Sequence, residues 1–513
     1  MNWMSSKPAE IAYSFGYYRE LCPPILRLAC LDAGFAPAPD GPTRYLELGF
    51  GQGVAIAIHA ASNEGTFWGT DYNPTHTAHA QGLIAASGAP AMLCDNSFAD
   101  FAARDDLPDF DIIALHGVWS WISEADGQIV IDLIRRKLRV GGMVYASYNC
   151  LPGMAPLLPL RNLMKLHADL AGSAADGMAA SINGALGFAR ALIDANSVYF
   201  RANPGLEAKL QSLAEQGRDY LAHEYFVPDW RVMGFADFAA RMEQAKLSYA
   251  TSAYLLTHID AINLPPEGLQ MLATISHPVL REATRDCLTN QGFRRDIFIK
   301  GPRRLSAAGR WAALRTQPYI LLTPPQDVPA KNPGPFSDAT IPDAVFAPLI
   351  AALAAQNYAP KSIDQLLAVP GLAHLTVDKL HAILLLLTGA GHLGPAQTPS
   401  AETVAQCRAF NQHVMDNNAV GNSVIAYLAS PVIGGAVPVF RVQQMCLLGM
   451  QQGLRDAPAL ARYVWQLMSR LGERVVKNGE KIMSDDVNIV ELERALGEFI
   501  AQRVPLLRAL GVL

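Results

Sequence analysis

The chain has 513 residues, half of them hydrophobic, with 41 Lys and Arg against 46 Asp and Glu and a formal net charge of −5. At about 100–200 residues per domain, that length predicts two to four domains and room for a cleft between them. The acidic balance argues against a mainly electrostatic nucleic-acid binder, and the composition is that of a globular protein.

The N-terminal MNWMSSKPAE has no basic stretch followed by an apolar one, so no secretory signal is read and a cytoplasmic location is expected. The longest apolar run, LHAILLLLTGAGHLG at 380–394, falls short of the roughly 18–20 residues a bilayer requires, and no membrane span is expected. Seven cysteines without a CxxC pair read as reduced core thiols. HTAH at 76–79 offers two histidines without a completing Cys, Asp or Glu, so no metal is expected.

From residue 44, apolar segments alternate with helical ones: RYLELGF (44–50), TFWGTDY (66–72), AMLCDN (91–96), FDIIALHG (110–117) and MVYASYN (143–149). This alternation predicts an α/β fold with a doubly wound, Rossmann-like parallel sheet, occupying residues 1–154 with an N-terminal cap. Residues 155–222 turn to Ala- and Leu-rich helical periodicity and predict a helical insertion. Residues 223–322 return to a helix leading into a strand (FADFAARMEQAKLSYATSAYLL) and one further strand (FRRDIFIKG), which would complete the sheet near residue 300. The proline-dense stretch 323–343 predicts a linker. Beyond it, 344–398 carries three helical segments ending in AGHLGP, a winged-helix-like pattern. The third segment is apolar with only Lys379 basic, which suits packing better than a major groove. Residues 399–513 predict a mainly helical C-terminal domain around the turn YLASPVIGGAVPVF at 427–440.

The first strand ends in ELGFGQG, 47–53, where three glycines allow a tight strand-to-helix turn and close approach of a ligand to free N–H groups. Alone, this fits dinucleotides as well as S-adenosylmethionine. Glu47, two residues before the first glycine, Asp71 at the end of the second strand and Asp95 at the end of the third together point to S-adenosylmethionine, because such acids accept from ribose hydroxyls and an adenine amino group. At the neighbouring strand ends stand His116, Trp119 and Trp121, then Tyr148 and Asn149. Trp119 and Trp121 are two positions apart and can face opposite ways, one into the core and one towards the ligand, while His116 can accept a proton. Tyr17 and Tyr18 precede the first strand, and His223, Glu224 and Tyr225 follow the insertion. FRRDIFIKGPRRLSAAGRWAALR, 293–315, sets seven Lys and Arg against one acid and is the one stretch where a polyanion would dock.

The acid followed by GxGxG resembles the first motif of class I S-adenosylmethionine-dependent methyltransferases. YYRELCP (17–23), LHGVWSWI (115–122), SYNCLPG (147–153), LAHEYFVPDW (221–230) and YLASPVIGGAVP (427–438) are similar to segments of the bacterial methyltransferases with a regulatory domain, a group that includes rickettsial protein-lysine methyltransferases. The resemblance implies that Glu47, Gly49, Gly51, Gln52 and Gly53 frame the methionine end of the cofactor, that Asp71 holds the ribose, and that Asp95 with Asn96 meets the adenine. The predicted fold, rather than the resemblance, places His116 beside both cofactor and acceptor, with Tyr18, Trp119, Tyr148, Asn149 and Tyr225 as candidate catalytic groups. A protein lysine is the acceptor the resemblance implies first, and the resemblance is compatible with a homodimer. A nucleic-acid or small-molecule acceptor, or a cofactor-binding scaffold without catalysis, remains open on the residues alone.

Overall fold

The computed structural model describes residues 15–37, 41–172, 177–335 and 338–513. The first ten residues, on which the reading of the N-terminus rests, lie outside these. Seven strands form the main sheet: β1 Thr43–Leu48, β2 Gly65–Thr70, β3 Ala91–Cys94, β4 Phe110–Leu115, β5 Leu138–Asn149, β6 Leu247–Ser252 and β7 Phe293–Lys300. Their order is β3-β2-β1-β4-β5-β7-β6. β1 to β5 run parallel, and β7 is antiparallel to both β5 and β6. All six residues of β4 are buried, as an apolar strand covered on both faces requires.

Helices on the two faces divide the apolar interior. On one face, Tyr45, Ile112, Tyr145 and Ile297 meet helices Pro23–Asp32 and Val54–Ser62. On the other, Leu46, Ile113, Val144 and Phe298 meet helices Glu124–Lys137 and Phe235–Gln244. β5 begins five residues earlier than the sequence suggests, because the glycines of LRVGG leave it no alternating pattern and its pairing with β4 slips between Phe110 and Ile112.

Among the described residues the insertion consists of helices Leu158–Ala171, Gly177–Asp194, Val198–Ala202, Leu206–Ala214 and Arg218–Tyr225 with short turns between them. It closes its own apolar cluster, into which Trp121 reaches from the end of β4.

The expected linker at 323–343 is corrected. Strand Pro318–Leu321 is already the centre of a second, three-stranded antiparallel sheet, between Lys361–Ser362 and Leu393–Pro395. The stretch after it holds a 3-10 turn, Pro325–Asp327, and a small hairpin, Lys331–Pro333 with Asp338–Thr340. Four apolar residues wedged between prolines are too short to register as a strand. Helix Val377–Gly389 buries Leu380, His381, Leu384 and Leu387 and packs inward. Helix Ala401–Ala419 lies on the main sheet's own helices, where the Cys407 thiol donates to Ala61 O at 3.2 Å. One continuous apolar cluster therefore joins one face of the main sheet to the C-terminal half. Among the described residues no helix is long and apolar enough to cross a membrane.

Candidate active site

The glycine turn after β1 has φ of +72° at Gly49, +57° at Gly51 and +71° at Gly53, values that L side chains adopt at a cost. Close packing adds to this: a Cβ on Gly49 would stand 2.6 Å from Val118 Cγ2, and one on Gly53 2.3 Å from Ala80 Cβ. The turn is tied to β2 by its own backbone. Gly51 N–H donates to Asp71 Oδ2 at 2.9 Å, while Asn73 N–H (3.0 Å) and His76 Nδ1 (3.2 Å) engage Oδ1. A carboxylate offers about four acceptor positions, so Asp71 keeps capacity for a ligand hydroxyl.

A cleft opens at these strand ends. Gly49, Gly51 and Asp71 form one side, Asn96 and Phe98 one end, and His116, Val118, Trp121, Ile122, His223 and Glu224 the other side. Glu47 sits beneath the turn, with burial and then the Asp71 charge raising its pKa to about 8 against a weak contact from Tyr45 Oη at 3.5 Å. Gln52 is also buried outside the cleft walls, its carbonyl accepting from His79 Nδ1 at 2.7 Å. Asp95 is exposed outside the walls, and the place expected for it at the adenine end is taken by Asn96 and Phe98.

His116 lies against the cleft with Nδ1 bonded to Tyr145 Oη at 2.8 Å. Burial, reinforced by the charge of Arg295, lowers its pKa to about 3. It is a neutral wall residue, and the expectation that it accepts a proton is withdrawn. Tyr18 covers it, ring on ring at 3.8 Å. The two tryptophans divide: Trp121 lines the cleft, whereas Trp119 belongs to the sheet core, edge-on to Phe238 at 5.3 Å. Tyr148 is likewise no catalytic group. It is fully buried, stacks on Phe238 at 4.0 Å and donates to Asp296 Oδ2 at 2.7 Å, because the odd-numbered side chains of β5, not the even ones, face the cleft side.

Asn149 and Tyr225 line an adjacent cavity of about 660 Å³ between the end of β5 and the insertion, with Met154, Asn203, Lys209 and Phe293. Phe293 stands 6.4 Å, edge-on, from His116 and so connects this cavity to the cleft. The return segment that carries Glu224 and Tyr225 is clamped through its carbonyls: Trp121 Nε1 donates to Glu224 O at 3.1 Å, Arg161 Nε to Tyr225 O at 2.8 Å, and Arg161 Nη2 to Val227 O. Tyr220 joins the group; burial and the nearby Glu224 and Tyr18 raise its pKa to about 12. Sequence reasoning missed Tyr72, Phe98, Val118 and Tyr220. For Tyr72 and Phe98 the signal was present, since each follows within two residues of a named strand-end residue.

The basic stretch 293–315 is largely committed internally. Arg294 bridges Asp296, Asp286 and Glu282, Arg310 meets Asp32, and Arg315 meets Asp364. Lys300 donates to the carbonyls of Arg135 and Leu138, both at 2.7 Å.

This strand order, with a glycine turn after β1 and an acid after β2, defines a class I methyltransferase fold. Residues 217–300 match the family described as a predicted methyltransferase regulatory domain, and they supply the last two strands of the sheet. The chain is 32% identical to the uncharacterized protein sll1526 of Synechocystis over the full length of both, and 26% identical to the uncharacterized protein RP789 of Rickettsia prowazekii over 52% of this chain and 47% of that one. The solved structure of PKMT2 from Rickettsia typhi matches with a TM-score of 0.68 at 18% identity, covering 96% of this chain and 99% of that one; its complex with AdoHcy matches equally. The chain belongs to one family with sll1526 and shares the fold of a methyltransferase structure solved with AdoHcy, with the predicted methyltransferase regulatory domain matched at 217–300. The donor set fits the cofactor: a carboxylate with acceptor capacity, an amide and an aromatic ring at one end, and a turn whose Gly49 and Gly51 bring backbone to the cleft wall.

Proposed function

We propose that the chain methylates the side-chain amine of a protein lysine. The observation that carries this reading is the aromatic, acid-bearing cluster at the edge of the cleft, where Tyr18 lies on His116 and Tyr220 is close to Glu224 and Tyr18, with Tyr225 on the same helix. The cofactor, when bound, supplies an activated methyl on a sulfonium. What remains for the chain is to align a nucleophile and exclude water. Desolvation and the positive charge of a bound sulfonium would both disfavour an ammonium, so the amine arrives neutral. Glu224 and the tyrosine hydroxyls can accept its N–H bonds and leave the lone pair free to point at the methyl. Burial and the Arg295 charge lower the His116 pKa and make it a poor proton acceptor, so the ammonium loses its proton to solvent before transfer.

The cavity of about 660 Å³ suits a side chain arriving with its peptide. A nucleic-acid acceptor is disfavoured because the arginines of 293–315 are largely paired within the chain. Incubation with methyl-labelled cofactor and cell lysate tests the reading: label in protein, located on lysine by mass spectrometry, is expected. Label confined to RNA or small molecules would sink it. Glu224→Gln and Tyr220→Phe should each lower kcat about tenfold or more while S-adenosylhomocysteine affinity stays within about twofold.

A further inference from the structure

We infer that the cavity where the N-terminal segment meets the C-terminal half binds a small amphiphilic carboxylate, and that its occupancy is felt at the cofactor cleft through residues 17–19. The cavity measures about 450 Å³, within the range of small-molecule sites. Its body is apolar, built from Ile25, Leu393, Ile433 and Val437 with the rings of Tyr17 and Tyr427. Two guanidinium groups, Arg19 and Arg503, stand in the same walls.

Among the described residues neither arginine has a carboxylate within ion-pair distance. Arg19 donates to the carbonyl of Thr388, and Arg503 to those of Leu322 and Pro438. Burial pushes the Arg503 pKa down, only partly opposed by the more distant Asp327. Two half-buried cations beside apolar surface, neutralised by no carboxylate, make a site where a carboxylate ligand gains both charge pairing and partial desolvation. The guanidinium fork matches a carboxylate's two oxygens, and the remaining walls match an alkyl or aromatic body.

The route to the cleft is one residue long. Tyr17 lines this cavity, its Oη accepting from Ala436 N–H at 3.1 Å, and Tyr18 lies on His116 at 3.8 Å. The fit around Tyr17 is tight: a Cβ on Gly435 would come within 2.4 Å of its Oη. A ligand that shifts Tyr17 therefore shifts the Tyr18 ring that lies on His116, a wall of the cleft. This inference does not rest on lysine as the acceptor.

Calorimetric titration of the full chain with decanoate, with 1-decanol as the neutral control, tests it. Expected are saturable one-to-one binding of decanoate, none of the alcohol, and affinity about tenfold or more weaker in Arg503→Gln, which removes the charge but keeps an amide to bond Leu322 O. At saturation, decanoate should change S-adenosylhomocysteine affinity by about twofold or more, with the reciprocal change in its own. Absence of saturable binding, equal binding of 1-decanol, full affinity in the variant or an unchanged S-adenosylhomocysteine affinity would each overturn the inference. Should Arg503→Gln lack a native melting transition, Arg19→Gln carries the same expectation. Loss of S-adenosylhomocysteine binding altogether would instead strike the methyltransferase reading and leave the decanoate titration standing.

Discussion

Glu47 is 3% exposed, and its pKa is raised to about 8 from 4.5 by burial, with Asp71 adding to the shift. A carboxyl whose pKa is higher folded than unfolded contributes stability below its unfolded value and loses it as pH rises through its folded one. Wild-type stability should therefore fall between about 4.5 and 8 relative to Glu47→Gln, which keeps the shape but does not ionise; denaturant melts across that window measure the difference. Asp71 carries the opposite kind of role. Asp71→Ala removes the acceptor at the cleft and the partner of Gly51 N–H, so S-adenosylhomocysteine should bind about tenfold or more weakly in calorimetry. Tyr148→Phe affects only the core. It deletes one hydrogen bond to buried Asp296, which Arg294 still holds, so about 1–3 kcal/mol of stability should go while kcat stays, as urea melts and turnover assays would report.

At the scale of elements, the strand end HGVWSW shows how far sequence pattern reaches. The succession of strands and helices along the chain, the glycine turn and the acid of β2 were legible because each depends on local chemistry: period, positive φ, charge at a strand end. Which aromatic faces the cleft was not, since residues 119–121 form a 3-10 turn in which the alternation of a strand no longer applies. Trp119 turns back onto Phe238, and Trp121 bridges the cleft to the insertion through Glu224 O. The motif SYNCLPG was legible as a family feature, but not for its reason. Gly153 lies so close to 290–292 that a Cβ would stand 2.4 Å from Asn290 O, and only the completed sheet brings those segments together. The two tryptophans give separable outcomes. Trp119→Phe should leave turnover unchanged. Trp121→Phe loses the donor that holds the Glu224 segment, so acceptor KM should rise at least severalfold with stability changed by about 1 kcal/mol. Steady-state kinetics beside thermal melts distinguish the two, and equal KM effects would refute the division.

At the scale of the whole molecule, the Pro-rich stretch does not separate independent bodies, because Asp32 ties three regions at one point. His258 Nδ1 bonds Asp32 Oδ2 at 2.7 Å, His381 Nε2 bonds Oδ1 at 2.7 Å, and Arg310 Nη2 bonds Oδ1 at 2.8 Å. These partners come from the segment after β6, from the buried helix Val377–Gly389 and from helix Ala307–Thr316. Burial alone would raise the Asp32 pKa, but the two histidines hold it well below the usual carboxylate range. A depressed carboxyl pKa contributes stability above its unfolded value and loses it as pH falls. Asp32→Asn leaves three donors around a neutral amide, and breaking a buried ionic cluster in this way costs about 3–5 kcal/mol. That deficit should be present at neutral pH and shrink as pH falls below 3.8. The apolar cluster that spans both halves should give the wild type a single cooperative transition in scanning calorimetry, and Asp32→Asn should split it, with the C-terminal half melting first. One unsplit transition in the variant would mean that the shared apolar core, not the Asp32 cluster, couples the regulatory and C-terminal regions to the catalytic sheet.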